Sequence, residues 1–214
     1  AAHRRTPTGR VALIERHLTG GDCLVAGCVP SKAMIRAARV AAAVRSAEAY
    51  GIRVPSGTTV DFAAVMERMR RLRAQISPTD SVQRLTAMGV DVFLGEARFV
   101  SRDAVEVDGK RLQFARAVIA TGGRAATPSI PGLREAGFLT NETLFELTEL
   151  PQRLAILGGG PIGCEMAQTF QRLGSQVVVI HNAGHILNRE DADAATILQR
   201  TFLREGIQLL LNTT

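Results

Sequence analysis

The sequence has few aromatic residues and almost no lysine, and both shortages bear on the class of protein. Tryptophan is absent, aromatics make up 4% of the 214 residues, and Lys32 and Lys110 are the only lysines among 26 basic residues. Proteins that bind nucleic acid usually concentrate their positive charge and add aromatic stacking groups. We therefore predict no nucleic-acid partner. We interpret the arginines, including those at residues 68–73, as a solvated surface, with attraction to nucleotide phosphates as the alternative.

Long apolar runs are also missing, and cysteines are few. No run approaches the roughly 18 uninterrupted apolar residues of a membrane span. Residues 1–5 contain neither an initiator methionine nor the apolar region of a signal peptide, so we expect this end to be a cut. Three cysteines without a secretory signal argue against a structural disulfide framework. The prediction is a cytoplasmic protein without membrane contact, holding one redox-active cysteine pair and one buried thiol, Cys164.

Apolar periodicity and turn residues predict alternating strands and helices. Asp61 is placed to cap a helix over 62–76, and the Ala-rich run 33–50 should form another helix that ends at Gly51. The pair Asp108-Gly109 is a hairpin signal. Short apolar runs predict strands at 11–15, 90–94, 97–100, 104–107, 117–120, 154–157 and 176–180.

Two cysteines stand five positions apart in the glycine-rich segment 20–32, GGDCLVAGCVPSK. On a loop that enters a helix, this spacing brings two sulfurs within bonding reach, whereas a straight helix rotates such residues off one face. Gly21 and the neighbouring glycines supply the freedom needed for close approach to a flat ligand. The helix expected to start near Pro30 points its positive end at Cys28, and Lys32 adds charge, so a thiolate is favoured there.

Other interpretations of Cys23 and Cys28 are weaker. A zinc site needs at least two more Cys or His ligands at suitable spacing, and none lies near, so no metal is predicted. A structural disulfide is possible, but the flanking glycines and the Pro-Ser-Lys sequence have no role in it. We interpret the two cysteines as a redox pair.

A second glycine-rich segment, GGGPIG at residues 158–163, follows the predicted strand 154–157. Gly-x-Gly-x-x-Gly between a strand and a helix is the fingerprint of dinucleotide binding. We predict that Gly158 makes the tight turn, that Gly160 lets the backbone approach the pyrophosphate, and that Gly163 permits close helix–strand packing. The residues predicted to bind NAD(P)H at this helix N-terminus are Gly158, Gly160, Pro161, Ile162 and Gly163.

The ribose-reading position departs from the usual pattern. An acid about 20 residues after the glycines favours NAD. The end of the predicted strand 176–180 is followed here by His181, which we assign to the cofactor site, and then by Asn182. The choice between NADH and NADPH stays open, with His185 and Arg189 nearby favouring NADPH.

The segment 20–32 resembles the active-site signature of the pyridine nucleotide–disulfide oxidoreductase class that includes dihydrolipoamide dehydrogenase, glutathione reductase and mercuric reductase. The resemblance implies that Cys23 exchanges with substrate and that Cys28 forms a thiolate against the flavin. It also implies that Lys32 lies near the flavin's reactive nitrogen. Asp22 stands where Thr is common in the family, which shifts the comparison toward mercuric-reductase-like members.

Other segments extend the resemblance. It implies an ion pair between Glu165 and Lys32, although an ordinary acid near a helix N-terminus is the alternative for Glu165. Glu15, at the end of the strand 11–15, fits the ribose-binding carboxylate of an FAD unit. The residues implied to contact FAD are Glu15, Gly21, Lys32, Ala97, Thr121 and Gly122.

The resemblance implies an α/β protein with three-layer FAD/NAD(P)-binding, Rossmann-like domains, both partial. Residues 1–149 are expected to form an FAD-binding domain without its N-terminal glycine-loop unit. Residues 150–214 are expected to begin the NAD(P)-binding domain, and the dimerisation domain of a homodimeric parent about twice as long would be absent.

The implied activity passes electrons from NAD(P)H through FAD to the Cys23–Cys28 disulfide, and from there to a small-molecule, metal-ion or disulfide substrate. A mercuric-reductase-like enzyme is expected. The alternatives are a dihydrolipoamide-dehydrogenase-like enzyme and an inactive nucleotide-binding fragment.

Overall fold

A computed structural model describes residues 9–213 as two parallel sheets, one antiparallel meander and a set of helices. Residues 1–5, where a cut was expected, lie outside the described residues. The strands are β1 (Val11–Glu15), β2 (Val90–Leu94), β3 (Ala97–Ser101), β4 (Ala104–Val107), β5 (Lys110–Gln113), β6 (Arg153–Leu157), β7 (Gln176–Ile180) and β8 (Gln208–Leu210). The helices are α1 (Gly21–Val25), α2 (Cys28–Arg45), α3 (Phe62–Ile76), α4 (Val82–Ala87), α5 (Leu133–Ala136), α6 (Asn141–Leu144), α7 (Pro161–Leu173) and α8 (Ala192–Arg204).

The sheets confirm the α/β class. Strands β1 and β2 pair in parallel, from Val11 opposite Val90 to Glu15 opposite Leu94, and α1 to α4 lie in the connection between them. Strands β6, β7 and β8 form a second parallel sheet in that order, with α7 and α8 as its crossovers. Parallel neighbours need such crossovers, because a short turn cannot return the chain to the same end of the sheet.

Most element predictions are confirmed. Asp61 caps α3, with its Oδ1 accepting the Ala64 N–H at 3.0 Å. Asp108 and Gly109 both have positive φ and turn β4 back into β5. The single helix predicted over 33–50 is divided in two. Helix α2 ends at Arg45, and a separate 3-10 helix over Ala47–Tyr50 is capped by Gly51.

The predicted strand over 117–120 is wrong. Residues 116–130 have no regular structure, and Val118 and Ile119 are exposed. An apolar run becomes a strand only when a neighbouring strand satisfies its backbone groups. Within residues 9–213, none of the β-pairings involves this run. Helix α8, by contrast, was not predicted, although the Asp191 side chain caps it.

The core lies where α2, α3 and α7 meet. Met34 of α2, Met66 of α3 and Phe170 of α7 are fully buried there. The rings of Phe62 and Phe170 lie 6.2 Å apart, within the range of a favourable aromatic pair. This core contains side chains from both sides of the predicted boundary at 149/150, so the two halves of the chain share buried apolar surface.

The arginines of α3 are more than a solvated surface, which corrects the interpretation of residues 68–73. Arg68 donates to the Ala33 carbonyl at 3.2 Å, and Arg70 donates to the Leu147 carbonyl at 3.1 Å. Arg73 donates to the Val25 carbonyl at 3.1 Å and also contacts Glu146. These contacts tie the segment before α2, α2 itself and the segment after α6 to one helix. Guanidinium groups suit this role because each presents several N–H donors.

We expect Phe170→Ala to lower the free energy of unfolding by about 3–5 kcal/mol, because it removes a fully buried ring and leaves a cavity. Urea unfolding followed by circular dichroism measures the change. Tyr50→Ala is the matched control, since Tyr50 is 81% exposed and its loss should change stability by less than about 0.5 kcal/mol. Equal effects of the two substitutions would contradict the placement of the core at α7.

Candidate active site

The two cysteines of segment 20–32 lie on successive helices. Cys23 belongs to the short helix α1, which is capped by Gly20 and begins at Gly21, both at positive φ, and Cys28 is the first residue of α2. The expected loop is therefore a short helix, and α2 starts two residues before Pro30. Its first-turn N–H groups lack intrahelical partners, so they place positive charge beside Cys28. Both thiols are free and exposed.

Gly27 makes the close approach of α1 and α2 possible. A Cβ at this position would lie 2.7 Å from the backbone oxygen of Asp22 and 3.2 Å from the Cα of Cys23. Any larger residue would push α1 away from the start of α2. The glycine between the cysteines is therefore required by space.

The pKa of Cys23 depends mainly on its partner in the pair. The pKa of the Cys23 thiol is raised, first by a hydrogen bond with the Cys28 side chain and then by burial, with the Asp80 carboxylate adding to the effect. Cys23 therefore retains its proton more readily than an ordinary thiol.

Lys32 and Glu165 form the ion pair that the family resemblance implies. The Lys32 Nζ lies 2.7 and 2.6 Å from the two carboxylate oxygens of Glu165. Lys32 lies in the second turn of α2 and Glu165 near the start of α7, so the pair links the cysteine helix to the helix that follows the second glycine loop. Both side chains are partly exposed, and such pairs contribute little to stability. The ion pair matters because it joins α2, which begins at Cys28, to α7, which begins at the second glycine loop.

Two residues that the sequence did not indicate also donate hydrogen bonds to the backbone of the cysteine segment. Arg73 donates to the Val25 carbonyl, and the Asn141 Nδ2 donates to the Ala26 carbonyl at 3.3 Å. These two carbonyls lie between the cysteines in the sequence. The clustering of arginines on α3 was visible in the sequence, but their partners are distant in the chain.

The second glycine loop has the geometry that its fingerprint predicts. Gly158 has φ +108°, and its N–H donates to the Ile180 carbonyl at 2.8 Å. A Cβ on Gly163 would lie 2.1 Å from the Gly158 oxygen, so only glycine fits there. A Cβ on Gly160 would meet no protein atom within 4 Å. The space beside Gly160 is therefore open to a ligand, and α7 begins directly after it with Pro161 and the exposed Ile162.

His181 and Cys164 lie beneath this loop. The His181 Nδ1 accepts the Gly159 N–H at 3.2 Å, and its Nε2 lies 3.3 Å from the Asn188 Oδ1. The Cys164 Sγ donates to the Gly159 carbonyl at 3.4 Å. Burial raises the pKa of Cys164 to about 11. The expectation of one buried thiol is confirmed.

The residues assigned to FAD are partly brought together. Glu15 ends β1, and its Oε1 accepts the His17 N–H at 2.9 Å. Gly122 has φ +72°, and a Cβ there would lie 3.3 Å from the Asp22 Oδ2, so the Thr121–Gly122 segment reaches the cysteine segment. Ala97 begins the exposed strand β3, on the other side of the Gly95 turn from Glu15. Gly21 is exposed beside Cys23.

Among residues 9–213 the structure contains no group of three or more His, Cys, Asp or Glu side chains that could hold a metal ion. None of the helices in the same range is long and apolar enough to span a membrane.

A thiol pair at a helix N-terminus and a dinucleotide loop after a parallel strand define a class of nucleotide-binding α/β redox protein. The chain belongs to the pyridine nucleotide-disulphide oxidoreductase family, whose model matches residues 1–214. It is 34% identical over 205 residues to a mercuric reductase of Bacillus cereus, covering 96% of this chain and 32% of that one. It is 33% identical to a dihydrolipoyl dehydrogenase of Acholeplasma laidlawii, covering 94% of this chain and 61% of that one.

A solved structure matches the same fold. The HOCl-induced flavoprotein disulfide reductase RclA from Escherichia coli superposes with a TM-score of 0.83 at 29% identity, covering 100% of this chain and 46% of that chain. The present chain thus spans about a third of the Bacillus reductase and under half of the Escherichia coli structure.

We expect iodoacetamide at about pH 8 to modify Cys23 and Cys28 and to leave Cys164 unmodified. Thiolates are the reactive species, and the buried Cys164 thiol stays protonated until the pH approaches 11. Peptide mass spectrometry measures the extent of modification at each site. Labelling in denaturant, where all three should react, is the control. Modification of Cys164 at the rate of the exposed pair would contradict its position.

We expect Gly163→Ala to destabilise the chain by about 1–3 kcal/mol, because the added methyl group overlaps the Gly158 carbonyl. Gly160→Ala is the matched variant, since its methyl group meets open space at an ordinary φ of −76°. Its effect on stability should stay within about 1 kcal/mol. Thermal and urea unfolding compare the two. A larger loss for Gly160→Ala would show that the loop is arranged differently.

Proposed function

We propose that this chain is part of an FAD-dependent NAD(P)H:disulfide-type oxidoreductase in which Cys23 and Cys28 form the redox-active disulfide. The observation that carries the proposal is the Lys32–Glu165 contact between α2 and α7. Helix α2 begins at one of the cysteines, and α7 begins at the second glycine loop. Two helices in direct contact therefore connect the thiols to the nucleotide loop.

The residues of the chain suit both nucleotides. On the nicotinamide side, Gly158 makes the turn, Gly163 allows close packing, and the open space beside Gly160 admits a pyrophosphate at the N-terminus of a 13-residue helix. On the flavin side, the residues that would hold FAD are Glu15, Gly21, Lys32, Ala97, Thr121 and Gly122. We assign residues 1–149 to the FAD-binding domain and residues 150–214 to the NAD(P)-binding domain.

When bound, FAD would pass two electrons from NAD(P)H to the Cys23–Cys28 disulfide, giving the dithiol that reduces substrate. The two sulfurs are placed differently in the chain, and we propose a different role for each. Cys23, the exposed sulfur of α1, exchanges with substrate, and it must lose its proton to do so because the thiolate is the nucleophile. Cys28, at the first position of α2, is placed to hold negative charge beside the helix N-terminus. Lys32 adds a positive charge one turn further on, and Glu165 orients it.

The substrate is a small molecule, a metal ion or a disulfide. A mercuric-reductase-like activity is the first choice, supported by Asp22 in the cysteine segment and by the Bacillus relative of that name. A dihydrolipoamide-dehydrogenase-like activity is the second, supported by relatives of that name at similar identity. The homodimeric state and the cytoplasmic location stay predictions. An inactive nucleotide-binding fragment is the rival outcome of the test below.

The test is a visible absorption spectrum of the purified chain with added FAD, before and after mild dithiol reduction. We expect a bound-flavin spectrum that gains long-wavelength absorbance on reduction, because a Cys28 thiolate would then face the flavin. Cys28→Ser should abolish this band. Cys23→Ser is the matched variant, and it should show the band without reduction, since Cys28 is then permanently free.

Persistence of the band in Cys28→Ser, or its absence from wild-type chain with FAD bound, would overturn the assignment of the two sulfurs. Failure of the chain to retain FAD under any condition would favour the inactive nucleotide-binding fragment.

A further inference from the structure

We propose that His181 is a positioning residue, which holds the second glycine loop in its nucleotide-binding shape and does not read the ribose. The inference rests on the proposed nicotinamide site and deepens it. It changes the role expected from the sequence, where His181 stands at the ribose-reading position after β7.

The side chain of His181 is occupied on both sides. It is 9% exposed, and its Nδ1 accepts the N–H of Gly159 while its Nε2 lies against the Asn188 Oδ1. A backbone N–H can only donate, so Nδ1 must be unprotonated, and the hydrogen-bond network assigns the neutral imidazole with its proton on Nε2. Neither nitrogen is left for a ribose hydroxyl.

Both backbone polar groups and the Cα of Gly159 contact surrounding protein atoms. A Cβ on Gly159 would lie 3.1 Å from the His181 ring and 3.0 Å from Ile186 Cγ2, so the imidazole packs directly against the loop. The Gly159 carbonyl accepts the Leu187 N–H at 2.7 Å and the Cys164 thiol at 3.4 Å. Both backbone groups of the middle glycine are therefore satisfied by protein.

This arrangement determines which donors face an anion. The Gly159 N–H is directed at His181, and Pro161 has no N–H. Within the motif, the N–H groups left to meet a pyrophosphate are those of Gly160, Ile162 and Gly163. If the imidazole were lost, the Gly159 N–H would lose its partner and the peptide plane would be free to turn toward the ligand side.

The same geometry bears on the choice of nucleotide. The acid that favours NAD at this position would repel a 2′-phosphate, whereas a neutral, internally bonded imidazole does not. We therefore infer that NADPH binds to this chain at least as tightly as NADH.

The experiment compares wild-type chain with His181→Asn and His181→Leu. Asn carries an acceptor oxygen one bond beyond Cγ, as Nδ1 is in histidine, whereas Leu fills similar space without an acceptor. Amide hydrogen exchange of Gly159 and the ring nitrogen shifts of His181, both by NMR, report the loop without any ligand. Isothermal titration with NADPH and with NADH reports binding, and His17→Ala is the control, because the His17 side chain is exposed in the bend just after β1.

We expect His181→Leu to accelerate Gly159 exchange and weaken NADPH binding, each by about tenfold, because one buried hydrogen bond is lost. His181→Asn should restore most of both, and His17→Ala should change neither. The wild-type ring should show Nε2 protonated and Nδ1 unprotonated.

Three results would overturn the inference alone: an Nδ1-protonated ring, unchanged Gly159 exchange in His181→Leu, or unchanged NADPH binding in a variant whose exchange is faster. A clear preference of the wild-type chain for NADH would overturn its nucleotide-choice part. Absence of any nucleotide binding by wild-type chain would instead contradict the proposed nicotinamide site, and the inference would fall with it.

Discussion

The packing of α2 against α7 is the contact on which the rest of the structure depends. Met34 and Phe170 bury the apolar faces of these helices in the common core. Lys32 and Glu165 meet at the exposed edge of the same contact. One helix starts at Cys28 and the other starts within the glycine motif, so the packing of these helices brings the thiol and the nucleotide loop into a defined relative position. Apolar burial supplies the stability, since an exposed ion pair contributes little.

Around this contact, polar side chains form hydrogen bonds with the backbone of the two glycine-rich segments, which bury little apolar surface. Arg73 and Asn141 bind the carbonyls between the two cysteines, and His181 and Cys164 bind the middle glycine of the second loop. Each satisfies a backbone group that a helix or sheet would otherwise pair. Binding loops need such partners because their own backbone groups lie outside regular structure. The backbone groups of the two segments are thus paired by partners outside either sheet.

The family relationship fits this division between framework and loops. The mercuric reductase and dihydrolipoyl dehydrogenase relatives carry different names at nearly the same identity to this chain. The shared framework therefore does not distinguish their substrates. Asp22 lies beside Cys23 in α1 and His181 directly follows β7, so each is placed where a single side chain can change chemistry without altering the packing of the long helices.

Elements and motifs whose signals are local could be predicted from the sequence. The Asp61 cap, the Asp108-Gly109 turn, the strand before the glycine loop and the glycines themselves are read within a few residues, because capping, positive φ and tight turns are local constraints. The cysteine pair was likewise predicted from neighbouring residues, the glycines before it and the Pro-Ser-Lys after it.

Tertiary structure decided whatever needs a distant partner. Residues 117–120 are apolar enough for a strand but have no paired neighbour within 9–213. The arginines of α3 have the pattern of a solvated face, yet Arg68, Arg70 and Arg73 donate to the carbonyls of residues 33, 147 and 25. The sequence predicts that His181 reads the ribose, and only the folded loop turns its imidazole toward Gly159. Hydrogen-bond partners far apart in the chain leave no local trace in the sequence.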